Sequence, residues 1–95
     1  MVNAVVLVAC EIDGIPEAAQ AIAAIEGVSE VYSVAGGYDL VAVVRVPNHD
    51  DLARVIPGGL AKVAGVVRTE TLIAFQVYSK HDLEAMFSLG FDEGA

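Results

Sequence analysis

VAGGYDLVAVVRV, Val34 to Val46, is the stretch on which the fold turns. Two adjacent glycines, a tyrosine and an aspartate separate one strand-like run from a second built almost entirely of Val, Ala and Leu. Gly36-Gly37 supplies the positive φ that a tight hairpin needs, so the flanking runs read as antiparallel neighbours, Val28 to Ala35 and Asp39 to Val46. On the plainest reading Tyr38 covers the turn and Asp39 blunts the strand edge. On the other reading the turn also holds something.

Working outward, Val2 to Cys10 is β-branched and apolar, the mark of a buried strand. Glu17 to Ile25 reads as a helix, with Pro16 suited to its first turn and Gly27 to a left-handed stop. Beyond the hairpin, Asn48 or Asp50 caps a second helix running towards Val63, which Pro57-Gly58-Gly59 kinks or interrupts. Gly65 ends that helix, and Val66 to Ser79 reads as a long last strand. The order is βαββαβ. A shift of 38 lays Val5 on Val43, Val8 on Val46, Asp13 on Asp51 and Gly27 on Gly65, so the chain reads as two copies of one strand-helix-strand unit.

Two right-handed crossovers place both helices on one side of a four-stranded antiparallel sheet, an α+β, ferredoxin-like architecture. The other sheet face has no cover. In the first strand Val2, Ala4, Val6 and Val8 are apolar and so are Val5, Leu7 and Ala9. In the third, Leu40, Ala42 and Val44 stand against Val41 and Val43. With no third layer to offer, the chain is expected to cover its open face with a second copy, giving a homodimer of the dimeric α+β barrel type. We place Val6 on that open face, so Val6→Asp is expected to disturb assembly.

Ninety-five residues make one domain with room for one site. The domain is read as 1–80, followed at 81–95 by a short amphipathic tail whose Leu83, Met86 and Phe87 pack against a partner. The chain is 56% apolar, but Glu11, Asp13 and Glu17 interrupt the amino-terminal run, and nothing approaches the roughly 20 apolar residues of a membrane helix. Five Lys and Arg against thirteen Asp and Glu give a net charge of −8, which repels phosphate backbones and argues against direct nucleic-acid binding. No signal-peptide pattern appears and cysteine is single, so a cytoplasmic location is expected.

Cys10 lacks a patterned base and reads as a buried thiol. His49, Asp50 and Asp51 are conceivable metal ligands, but acids at a helix start suit the dipole, and capping is the simpler account. His81, Asp82 and Glu84 open the tail. No zinc spacing, nucleophile elbow or phosphate loop is present, and neither a catalytic constellation nor a cofactor is expected. Alternation along Thr69-Glu70-Thr71 sends both threonines to one face and the acid to the other.

At these residues a resemblance emerges. VAGGYDLVAVVRV resembles the G-x-YD-hydrophobic hairpin of the ligand-binding domain of Lrp/AsnC regulators, the RAM domain. GVVRTETLIAFQVY is similar to that family's last strand, with its Gly-Val start and Thr-x-Thr pattern. The resemblance covers roughly Val2 to Lys80. It implies a module that binds a small effector, usually an amino acid, dimerises through its sheet and assembles into rings of dimers such as octamers. Carried over, the ligand-binding residues are Gly37, Tyr38, Asp39, Thr69 and Thr71. Glycine-turn N–H groups can receive a carboxylate, Asp39 an ammonium, and the threonines can complete the shell. Family members carry an amino-terminal helix-turn-helix domain, whereas this chain starts in its first strand. A stand-alone form is therefore expected, one that regulates transcription or metabolism through protein partners such as full-length relatives.

Two other readings compete. A small dimeric α+β barrel enzyme, oxygenase- or isomerase-like, needs polar groups between sheet and helices, where this chain offers Val, Ala, Leu and Ile. An ACT-like module shares fold and ligand class but matches GGYD and RTET less well. An RNA-recognition domain conflicts with the charge and with the lack of aromatics beside Lys or Arg on the central strands.

Overall fold

The structure is a computed structural model that describes residues 1–78 and Lys80. The predicted tail, with His81, Asp82, Leu83, Glu84, Met86 and Phe87, lies outside the described residues. The elements are β1 (Val2–Cys10), α1 (Ile15–Ala23), β2 (Val28–Ser33), β3 (Leu40–Val46), α2 (His49–Val55) and β4 (Val66–Ala74), with single 3-10 turns at Ile12–Gly14 and Leu60–Lys62. All four strands join one antiparallel sheet in the order β2-β3-β1-β4, the ferredoxin-like order.

Pairing register fixes which residues share a face. Val6 stands opposite Ala42 and Thr71, and Val8 opposite Leu40 and Thr69. Ala4, Val6, Val8, Leu40, Ala42 and Val44 are fully buried and form one cluster with Ala18 and Ile22 of α1 and Leu52 and Val55 of α2. Both helices therefore cover this face. Fully burying a side chain such as Ile22 or Leu60 contributes roughly 1.5 to 3 kcal/mol. Among the described residues no buried position is polar or charged.

The opposite face carries Asn3, Val5, Leu7 and Ala9, each only partly buried, together with Val41 and Val43. Placing Val6 on the open face is therefore incorrect. Val6 belongs to the helix-covered core, and Val5 and Leu7 are the outward residues. Both phases of β1 are apolar, so hydrophobicity alone leaves the alternation without a direction.

Helix ends follow local chemistry. Pro16 stands in the first turn of α1, which starts at Ile15, two residues before the expected Glu17, and stops at Ala23. Asn48 is the N-cap of α2, and the Asp51 carboxylate accepts its backbone N–H at 3.2 Å. The acids of NHDD thus serve the helix start. The expected interruption at Pro57-Gly58-Gly59 is present, but the helix does not run on towards Val63 and Gly65: α2 stops at Val55 and only the 3-10 turn at Leu60–Lys62 follows. A Cβ on Gly58 would lie 2.7 Å from the Arg54 carbonyl, and one on Gly59 2.9 Å from that of Val55. No helix among the described residues is long and apolar enough to cross a membrane.

Candidate ligand-binding site

The β2–β3 hairpin closes where the Val34 N–H donates to the Asp39 carbonyl at 3.0 Å, leaving Ala35 to Tyr38 as the loop. Gly36 has φ 139°, a conformation that L side chains rarely adopt, whereas Gly37 has no positive φ. Neither glycine has a neighbouring atom within 4 Å of the place where a Cβ would stand. The fold therefore requires glycine at 36 but not at 37. Among the described residues the N–H groups of Gly36, Gly37 and Tyr38 donate to no backbone carbonyl beyond the strand ladders.

Asp39 is tied to β1 twice. Its backbone N–H donates to the Val8 carbonyl at 2.9 Å, and its carboxylate Oδ2 accepts the Cys10 N–H at 2.8 Å. The second bond has a clear cause. The β1–β4 register shifts between Ala9 and Cys10, and Asp39 supplies an acceptor at that irregularity. Burial, and next the neighbouring Asp39 charge, push the Cys10 thiol above its ordinary value, so it is held as the neutral thiol.

Tyr38 takes a different direction. Its hydroxyl donates to Glu70 Oε2 at 2.9 Å, and the Arg68 guanidinium carbon lies 5.0 Å from its ring centroid. Because β1 lies between β3 and β4, Tyr38 spans the width of β1 to reach these two residues. Arg68 stands opposite Ala9 and Glu70 opposite Leu7, which puts both on the open face.

The five predicted site residues share neither one face nor one end of the sheet, since Thr71 pairs with Val6 in the middle of β1. Gly37, Tyr38 and Asp39 are adjacent in the hairpin. Thr69, half-buried, flanks Val8 on the side away from Asp39, so the two lie about two strand spacings apart, roughly 10 Å. Thr71 is exposed, opposite Val6. Both threonines fall on the helix-side phase of β4, while Tyr38 works on the open side with Arg68 and Glu70. The two charged residues are absent from the sequence-derived set. The signal for them was the same alternation, since Arg68 and Glu70 share a face in RTET as Thr69 and Thr71 share the other. Among the described residues, no group of three or more His, Cys, Asp or Glu side chains is placed to hold a metal ion.

Comparison with known proteins is consistent with this geometry. A profile of the Lrp/AsnC ligand binding domain matches residues 3–83. An uncharacterized HTH-type transcriptional regulator of Pyrococcus horikoshii is 41% identical over 59 residues, which make up 62% of this chain and 39% of that regulator. The chain thus matches well under half the length of that curated relative. The crystal structure of TTHA0845 from Thermus thermophilus superposes with a TM-score of 0.80 at 42% identity, covering 84% of this chain and all of the other. The transcriptional regulator NMB0573 of Neisseria meningitidis, solved as a complex with L-Met, has a TM-score of 0.73 over 82% of this chain and 52% of that one, and at 12% identity it shares the fold alone. With a profile spanning most of its length and a sheet in the ferredoxin-like order, the chain belongs to the Lrp/AsnC ligand-binding domain family.

Proposed function

We propose that the chain is an effector-binding module that takes an amino acid beside the GGYD hairpin, at a contact between copies of itself. The observation that carries this reading is Gly37, a glycine that the fold does not require, in a loop whose N–H groups are free of backbone partners and which is flanked by Tyr38. Such a loop can receive a carboxylate. Thr69 and Thr71 offer hydroxyls from the helix-side phase of β4, and Asp39 holds the hairpin to β1 through the Cys10 N–H. The L-Met complex of a regulator with the same fold agrees with the ligand class.

The open sheet face is covered by a second copy, and dimers join into a larger ring such as an octamer. With a net charge of −8 the module does not contact DNA itself, and its effect on transcription or metabolism passes through protein partners, full-length Lrp/AsnC relatives among them. Calorimetric titration of the twenty amino acids into the assembled oligomer tests the ligand. Binding of at least one is expected; no heat from any at millimolar concentration leaves the hairpin as a turn only.

A further inference from the structure

We propose that Arg68 and Glu70, held apart by Tyr38, read the headgroup of an α-amino acid, Arg68 taking the carboxylate and Glu70 the ammonium. The inference rests on the ligand reading above and assigns roles to two residues that the family resemblance does not single out. Three observations carry it. First, the acid that the resemblance offers for the ammonium is already engaged, since Asp39 Oδ2 accepts the Cys10 N–H at 2.8 Å where the β1–β4 register shifts. Taking that oxygen for a ligand would orphan a backbone donor. Second, Glu70 is exposed in the single chain, on the edge strand β4, and the one hydrogen bond it receives from Tyr38 uses a single carboxylate oxygen. Third, Arg68 and Glu70 alternate onto the same face, their Cα atoms about 7 Å apart along the strand, yet they do not collapse onto each other. The guanidinium lies over the Tyr38 ring and the carboxylate rests on the Tyr38 hydroxyl, so opposite charges are presented side by side on one aromatic. A zwitterion satisfies both at once; a 2-oxo acid lacks the ammonium and a carboxamide lacks the carboxylate charge.

The test uses the full chain in its assembled form. Each of the twenty amino acids is titrated by calorimetry, and the tightest binder is then compared with its own carboxamide and its own 2-oxo acid. Wild type is expected to prefer the amino acid over either analogue by roughly ten- to a hundred-fold, the range for a hydrogen bond to a charged group. Arg68→Gln should shrink only the preference over the carboxamide, and Glu70→Gln only the preference over the 2-oxo acid. A purely structural role would not split the two ratios. If wild type binds an amino acid while both variants keep both ratios, the inference is wrong and the ligand reading stands. A variant that loses the amino acid and its analogues alike also overturns it. If wild type binds none of the twenty, the ligand reading falls and this inference with it.

Discussion

Asp39 shows how one side chain can be drawn into two roles. Its carboxylate closes a backbone irregularity 29 residues away by accepting the Cys10 N–H. Asp39→Ala leaves that donor without its partner and should lower unfolding free energy by about 1 to 3 kcal/mol, whereas Asp39→Asn, which keeps an acceptor, should cost less. Urea denaturation of the two variants checks this, and equal midpoints for wild type and Asp39→Ala would show the bond to be dispensable. The same contact bears on Cys10. Burial and the Asp39 charge raise the folded thiol's pKa above its ordinary value of 9.0, so the folded state keeps the proton longer than the unfolded chain. The stability this contributes is complete below pH 9 and is lost as pH rises towards the folded value. Iodoacetamide should therefore alkylate Cys10 more slowly than free cysteine at about pH 8, and reaction at the free rate would contradict the assignment. The Tyr-Asp pair was legible as a motif. That the aspartate serves the backbone was not, because a side-chain bond to a distant strand depends on a register that no local pattern contains.

The elements themselves were largely legible, and where they differ the neighbour decides. Val66 to Ser79 has strand composition throughout, yet β4 stops at Ala74, which pairs with Asn3 near the start of β1. A strand needs a ladder partner, and beyond Ala74 only Val2 of β1 is left to pair. The hairpin gives the sharper contrast. Gly36 and Gly37 are identical in sequence, but only Gly36 has positive φ, and both have open space around them. Gly36→Ala should destabilise by about 1 to 3 kcal/mol through backbone strain. Gly37→Ala should be neutral or gain about 0.4 to 1 kcal/mol by restricting the unfolded chain. Thermal melts of the two variants separate the cases, and equal losses at both positions would show that the turn needs glycine twice. A stable Gly37→Ala variant that binds amino acids poorly would further tie the loop N–H groups to the ligand.

At the scale of the whole molecule the decisive feature is a sheet whose two central strands are apolar on both faces, with one set of helices. The direction of alternation was available in the sequence after all. Asn3 is the one strongly polar residue of β1, Arg45 the one of β3, and the two pair with each other in phase with Val5, Leu7, Val41 and Val43. Polar residues in phase with Val5 and Leu7 distinguish the open face from the other phase, Val6, Val8 and Ala42, which is sealed by helices. Two neighbouring substitutions should then behave oppositely. Val6→Asp buries an unpaired charge in the helix-sheet core, at a cost of roughly 3 to 5 kcal/mol, and should abolish the fold. Val5→Asp places the same charge on the open face, where a separate chain keeps it partly hydrated, so circular dichroism should stay native. The charge becomes costly only when a second copy covers it, and light scattering should show wild-type oligomers giving way to folded monomers of about 10 kDa. Val5→Asp that assembles as wild type does would remove this face from the interface, and folded Val6→Asp would mean that the helices do not seal the phase on which the core depends.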